Sequence, residues 1–315
     1  MNYVLNLVLL VLGFVCLVKG ADWFVDGSSS VAKRLKIPAV IIGLTIVSIG
    51  TSLPEASVSI TASLGGSYDL SIANVIGSNI FNTLVVVGAS ALICPFLVDR
   101  MIMKRDFPLC IALTLVLMFM LRDSVLSRIE AVILFAMFVA YIILLVVSAL
   151  KNRTQSEEDY KVLPVWKSLL FIVIGAAAII LGGTLTVDAA SFFAAALGMS
   201  EMLIGLTVVA VGTSLPELVT SVVAAKKGES EIALGNVVGS NIFNILFILG
   251  SSGLVHPLTC GGEAFIDSLI LIVLSAIMWI LCFTGKKINR AEGAASVLVY
   301  VAYVVYIILR AYGLI

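Results

Sequence analysis

Glu55 and Glu217 close the same six-residue run, Gly-Thr-Ser-Leu-Pro-Glu, at 50–55 and again at 212–217, each inside apolar sequence. A carboxylate in such surroundings is costly unless it meets a counter-charge or a proton. The run supplies further oxygen through Thr51, Ser52, Thr213 and Ser214, with Ser48 and Ala210 one turn earlier. A second pair of runs, Gly-Ser-Asn-Ile-Phe-Asn at 77–82 and 239–244, contributes Ser78, Asn82, Ser240 and Asn244. In each of these the serine and the last asparagine are four apart, so they share a helical face. Neither run holds a thiol or an imidazole. An all-oxygen set suits hard cations such as calcium, magnesium or sodium and does not suit zinc or copper.

Backbone chemistry adds donors of the same kind. Pro54 has no N–H, and its ring clashes with the carbonyl four residues back, so a helix must kink or break there. The break should release carbonyl oxygens near Ser48 to Thr51 and, at Pro216, near Ala210 to Thr213. Free carbonyls at membrane depth need a partner, and a cation is a natural one. Charge then narrows the load. No lysine or arginine matches the two glutamates in depth, so one calcium ion, two sodium ions or two protons would each neutralise the pair. A site that is neutral with either load can exchange one for the other. The bland alternative for the glutamates is a protonated acid joining two helices, and for Ser78 and Ser240 it is close helix packing. Asn74, Asn79, Asn236 and Asn241 read better as braces of the bend than as ligands. Asp26 and Asp188 read as helix-end residues, capping or solvated.

These residues must be held by apolar helices. The chain is 61% hydrophobic and 12% charged, too apolar for an ordinary soluble domain. At about 20 residues per crossing, its apolar runs give roughly ten helices, centred near residues 12, 48, 83, 113, 140, 176, 211, 244, 274 and 303. A barrel would need alternating polarity, which the runs lack. With both termini outside and helices alternating, only Arg122, Arg128 and Arg310 of the 19 basic residues fall on the outer side. The first apolar run lacks a basic leader and a cleavage site, and reads as a retained helix. The five cysteines form no CxxC pair, and the lone histidine, His256, reads as structural.

The two copies align without a gap from Gly43 to Asn82. A single hydrophilic linker, 153–163, separates a first five-helix repeat (1–152) from a second (164–315). An odd number of crossings per repeat turns the second upside down, an arrangement common in secondary transporters. The fold class expected is therefore an all-α membrane protein of ten transmembrane helices, built as two inverted-topology repeats with broken helices 2 and 7. No nucleophile–base pair or cofactor loop is evident, so neither an enzyme nor a cofactor is expected, and no nucleic-acid partner.

At the runs just quoted, the chain resembles the calcium/cation antiporter superfamily, most closely its sodium/calcium exchanger branch of prokaryotic type. The resemblance implies an antiporter of the cell membrane that exchanges sodium for calcium, with four ion sites between helices 2, 3, 7 and 8. It implies ligands at Glu55, Glu217, Thr51, Ser52, Thr213, Ser214, Ser78, Asn82 and Ser240, with the carbonyls of Ser48 and Ala210. It also implies that helices 1 and 6 slide across this core. Asn244 stands where some relatives carry aspartate, which leaves the core with two acids and argues against potassium dependence. A proton/calcium antiporter is the alternative; that branch typically has a glutamate in its third-helix motif, and Asn74-Val-Ile-Gly has none. A cation channel is a more distant reading.

Overall fold

Pro54 and Pro216 each open a new helix instead of continuing an old one. In the computed structural model, which describes residues 3–151, 162–199 and 208–314, both lie in the first turn of a short helix. Helix α1 spans Tyr3–Leu35. Helix α2 is broken into α2a, Ala39–Thr51, and α2b, Leu53–Leu64, which meet at 49°. Helices α3 (Tyr68–Ile93) and α5 (Arg128–Lys151) flank α4, residues 100–120. In the second half come α6 (Val165–Ala196), α7a (208–213), α7b (Leu215–Lys226), α8 (Ser230–Val255), α9 (Glu263–Gly285) and α10 (Arg290–Ala311).

Among the described residues seven helices are long and apolar enough to cross a membrane, or eight if broken α2 counts as one crossing. Ten were expected. The shortfall falls at two places. The regular part of α4, Phe107–Met120, is short and follows a widened π turn at Ile102–Asp106. Residues 200–207, where the seventh helix was expected to begin, lie outside the described residues, as do residues 152–161, which hold most of the expected linker.

Two-strand ladders show how far the duplication reaches. Strand β1 (Phe96–Leu97) pairs with β4 (Lys287–Ile288), and β2 (Val125–Leu126) pairs with β3 (Leu258–Thr259). Moving Phe96 by the offset that separates Gly43 from Gly205 lands on Leu258, and moving Val125 lands on Lys287. Each ladder therefore joins one repeat to the other, and the two ladders are copies. Ser124 and Lys286, which precede β2 and β4, share a left-handed backbone with φ of 61° and 52°.

Helices α1 and α6, themselves copies, lie against each other in opposite directions. A Cβ at Gly13 would stand 2.9 Å from the Gly182 carbonyl, one at Gly20 2.9 Å from that of Gly175, and one at Gly27 2.6 Å from that of Ser168. Partners that descend on one helix as they climb on the other define an antiparallel pair. Small residues spaced by seven let the backbones meet, the usual means of close packing in lipid. Helix α8 is buried almost throughout. Helices α1, α5, α6, α9 and α10 expose residues such as Val11, Phe14, Ile143, Val173, Ile277 and Val301, as a lipid-facing belt would.

Lysines fasten the C-terminal half of α1. Lys227 Nζ lies 2.7 Å from Asp26 Oδ1 and 3.4 Å from Asp22, and Lys33 Nζ lies 2.9 Å from Glu229. Asp26 is thus inside a helix that runs on to Leu35, in an ion pair, and not at a helix end as its sequence context implied. These pairs are partly exposed, and such pairs contribute on the order of 0–1 kcal/mol. Lys227→Ala is expected to lower the detergent-solubilised melting temperature by only a few degrees at most. A larger loss in a thermal scan would mean that α1 depends on this contact.

Candidate functional site

Each broken helix stops at a serine. Ser52 (φ −86°, ψ 7°) and Ser214 (φ −91°, ψ 6°) leave helical geometry, and Leu-Pro-Glu starts the next helix. The glutamates become the third residues of α2b and α7b. There the N-terminal end of a helix carries partial positive charge and favours a carboxylate. The half-helices before the breaks end in carbonyls, which favour a cation. The break thus arranges a carboxylate and carbonyl dipoles around one level.

The two levels are one. Ser214 Oγ donates to Glu55 Oε1 at 3.0 Å, and Ser52 Oγ donates to Glu217 Oε1 at 2.7 Å. Each repeat therefore fixes the other's glutamate. Ser240 Oγ lies 3.4 Å from Glu217 Oε1. Both glutamates, with Ser52, Ser214 and Ser240, are fully buried. Neither carboxylate has an ion pair among the described residues, and no three carboxylates, thiols or imidazoles cluster there. The charge of the site is that of Glu55 and Glu217.

Amides brace the turn that carries each glutamate. Asn74 Nδ2 donates to the Glu55 carbonyl (3.3 Å) and to Ser59 Oγ (2.9 Å); Asn236 Nδ2 donates to the Glu217 carbonyl (3.4 Å) and to Ser221 Oγ (3.0 Å). Ser59 and Ser221 were not picked out from sequence. Their signal was available: they are identical across the copies and lie one helical turn beyond the glutamates. Thr51 Oγ1 is 3.0 Å from Asn236 Oδ1, which ties the first repeat's break to α8. Thr213, buried, turns its hydroxyl to the Ala210 carbonyl at 3.3 Å.

The backbone donors differ in detail from expectation. The Ser48 carbonyl accepts the Ser52 N–H at 3.0 Å and has the Thr51 hydroxyl at 3.3 Å. Helical geometry persists as far as Ser52, so the N–H for Ser48 is still supplied. The carbonyl that loses its donor to Pro54 is that of Gly50, four residues back. A carbonyl has two lone pairs, and the single Thr51 hydroxyl proton also reaches the Val47 carbonyl at 3.1 Å; with the proton there, the Ser48 carbonyl keeps one lone pair unused.

Several buried polar atoms have no partner among the described residues. They include the second oxygens of both glutamates, Ser78 Oγ, both amide atoms of Asn82, and Asn244 Oδ1. A buried unpaired polar group is expensive, so its presence asks for an explanation. The five oxygens among these belong to the set drawn from the sequence and suit a hard cation, whereas Asn82 Nδ2 is a donor; other unpartnered atoms, such as Ser71 Oγ, Thr220 Oγ1 and Ser252 Oγ, lie outside that set. Asn82 and Asn244 each open a π-helical turn, in Asn82–Val86 and Asn244–Ile248. Such widened turns often occur at functional sites.

An open crevice of about 430 Å³ reaches this core between α2b, α6 and α7, lined by Pro54, Gly183, Asp188, Thr213 and Pro216 among others. Asp188 is exposed within α6 and not at its end. On the other side, α2a and α8 touch without a gap. A Cβ at Gly43 would be 2.8 Å from the Ile232 carbonyl, and one at Gly235 2.7 Å from the Val40 carbonyl.

The profile of the sodium/calcium exchanger protein family matches residues 5–147 and again 167–309. Sodium/calcium exchanger MaX1 of Methanosarcina acetivorans is 36% identical over 341 aligned positions, covering 95% of this chain and 97% of that protein. Inner membrane protein YrbG of Escherichia coli is 37% identical over 285, covering 87% and 88%. A solved structure of the sodium-calcium exchanger NCX_Mj, soaked with sodium and strontium, superposes with a TM-score of 0.85. It is 34% identical and covers 96% of this chain and 99% of its own.

Proposed function

Because the chain belongs to the sodium/calcium exchanger family, we propose that it is a secondary antiporter that moves calcium against sodium by alternating access. The observation that carries this reading is the pair of buried glutamates, each held through one oxygen by the opposite repeat and, among the described residues, unpartnered at the other. Calcium bound between the free oxygens neutralises both charges; two sodium ions do the same. The empty pair, with a net charge of about −2 and no basic partner, is the state least suited to cross the membrane interior. That penalty couples the two flows, since the site rearranges when loaded with either ion.

The ligands in this reading are Glu55, Glu217, Thr51, Ser52, Thr213, Ser214, Ser78, Asn82, Ser240 and Asn244, with the Ser48 and Ala210 carbonyls. The crevice beside α6 is the route from outside, and the tight α2a–α8 contact closes the inner route. Ten crossings with both termini outside put the linker in the cytoplasm and the protein in the cell membrane. The antiparallel run of the duplicated helices α1 and α6 supports that inverted arrangement. The protein acts as a carrier, without enzymatic chemistry or a resident cofactor.

The test is calcium uptake by proteoliposomes under separately imposed gradients. An outward sodium gradient is expected to drive calcium in, and a proton gradient without sodium is not. Equal uptake driven by protons alone would transfer the role of sodium to protons. If more than two sodium ions exchange for each calcium, uptake will also follow an imposed membrane potential.

Asn244 gives a sharper prediction. Its Nδ2 donates to Asn79 Oδ1 at 3.0 Å, leaving Oδ1 for the ion. Asn244→Asp removes the donor unless the new acid is protonated, and ionisation adds a third charge to a site balanced for two. Calcium flux in this variant is expected to depend more steeply on pH than in the parent, and to shift its ion preference. Superimposable pH profiles and selectivities would remove Asn244 from the site.

A further inference from the structure

Copied positions at the two poles of the bundle differ in charge. At the pole where α1 ends, Lys227 Nζ pairs with Asp26 (2.7 Å) and Asp22 (3.4 Å) and donates to the Asp22 carbonyl at 2.9 Å. Two residues on, Glu229 takes Lys33 Nζ at 2.9 Å and the Ser29 hydroxyl. Lys227 and Glu229 belong to the turn between α7b and α8. The residues they hold, Asp22, Asp26, Ser29 and Lys33, are spaced by four, three and four, so they form one stripe of α1.

The stripe recurs on α6 as Thr184, Asp188, Ser191 and Ala195. The turn recurs between α2b and α3, with Gly65 and Ser67 in place of Lys227 and Glu229. Its backbone is nearly the same: Gly65 stands at φ −83°, ψ −3° and Lys227 at −81°, 0°. Each is followed by a glycine of positive φ, Gly66 and Gly228. The two turns therefore differ in side chains and not in shape.

Packing follows the charges. Ala21 and Val25 of α1 are fully buried in an apolar cluster with Val223 and Ala224 of α7b. Their copies on α6, Gly183 and Val187, line the open crevice beside α2b, together with Thr184 and Asp188. Asp188 makes no ion pair among the described residues, whereas its copy Asp26 does. The same helix pair is closed where the turn is charged and parted where it is not.

We propose that Lys227 and Glu229 form an ionic latch that keeps α1 closed on α7b and, having no copy at the other pole, biases the carrier toward the form open beside α6. The inference rests on the antiporter reading and on the sliding of α1 and α6 that it entails. Calcium arriving at the latched pole meets a scarce form of the protein, so its apparent affinity there is lowered in proportion to that scarcity. In the proposed orientation this pole is cytoplasmic, and the latch keeps the carrier ready for sodium from outside.

The test uses the full chain in proteoliposomes, with Val25→Cys introduced into a variant otherwise free of cysteine. Val25 is covered while the latch is shut, and an impermeant maleimide is added at the face where α1 ends. Lys227→Gln is expected to raise the labelling rate of Val25→Cys about threefold, within what partly exposed ion pairs supply. The half-saturating calcium concentration at that face should fall by the same factor. Lys227→Arg, which keeps the charge, should match the parent. Gly65→Lys places a cation opposite Asp188 and favours closure of the other pole, so it should also raise labelling; it serves if Lys227→Gln does not fold. Unchanged labelling and half-saturation in both variants, or a rise as large in Lys227→Arg, would overturn the proposal. Sodium-driven calcium flux by the parent is measured in the same vesicles. If it is present while the latch variants match the parent, only the latch falls; if it is absent, the antiporter reading falls as well.

Discussion

Glu55→Gln and Glu217→Gln are each expected to reduce calcium transport at least about 100-fold, a loss equivalent to one strong charge-assisted ligand contact or more. The two effects should be equal in kind, because each carboxylate is held by a hydroxyl from the opposite repeat and neither has a basic partner. Glutamine keeps the shape and can still accept the serine's hydrogen bond. It also removes a buried charge, so the ion-free protein should be at least as stable as the parent. Calcium should raise the melting temperature of the parent in detergent and fail to do so in either variant, since a ligand stabilises only the fold that binds it. Flux assays and thermal scans with and without calcium check both halves. Near-normal exchange in one variant would mean that its glutamate lies outside the site.

The next largest effect is expected at a residue with no chemistry of its own. Gly235→Val places a branched side chain where even a Cβ would stand 2.7 Å from the Val40 carbonyl and 3.0 Å from Gly43 Cα. Backbone cannot yield as a side-chain tip does, so α2a and α8 must part. Overpacking of this kind costs about 1–3 kcal/mol. The functional loss should be larger than the stability loss if, as proposed, the same contact closes one route to the site; it also brings Ser48 against Gly239, where a Cβ would be 2.7 Å from Ser48 Oγ. Calcium flux through a protein that still purifies as a folded species, with its melting temperature lowered by several degrees, is the measurement. Parental flux would show that the α2a–α8 contact is not a closure.

Much of the architecture could be read from residue chemistry, and the reasons are specific. Pro54 and Pro216 lack an N–H wherever they stand, so the breaks followed from covalent structure. The candidate oxygen set was drawn from polar residues repeated in apolar surroundings; among the described residues Glu55, Glu217, Ser78, Asn82 and Asn244 of that set carry buried atoms without a partner. Finer points depended on exchange between repeats. That Ser52 serves Glu217 and Ser214 serves Glu55 requires the two halves to be superposed, which no local pattern reveals. The released carbonyl was placed a turn too broadly, because the helix continues to Ser52 before it breaks. Asp26 looked like a helix-end residue because Lys227, its partner, is 201 positions away in sequence. The helix count rested on apolar length, and α4, interrupted by a π turn, shows how a widened turn shortens a regular run without ending it.

The account holds that two copies of one sequence build a single shared cation site. Equilibrium binding of radioactive calcium to the purified full chain tests this most directly, with sodium as competitor and Glu55→Gln and Glu217→Gln measured beside the parent. The prediction is saturable binding to the parent at one calcium per chain, displaced by sodium, and absent from both variants. Two calcium ions per chain, or binding that survives at half the level in each variant, would contradict it and mean that each repeat holds a site of its own.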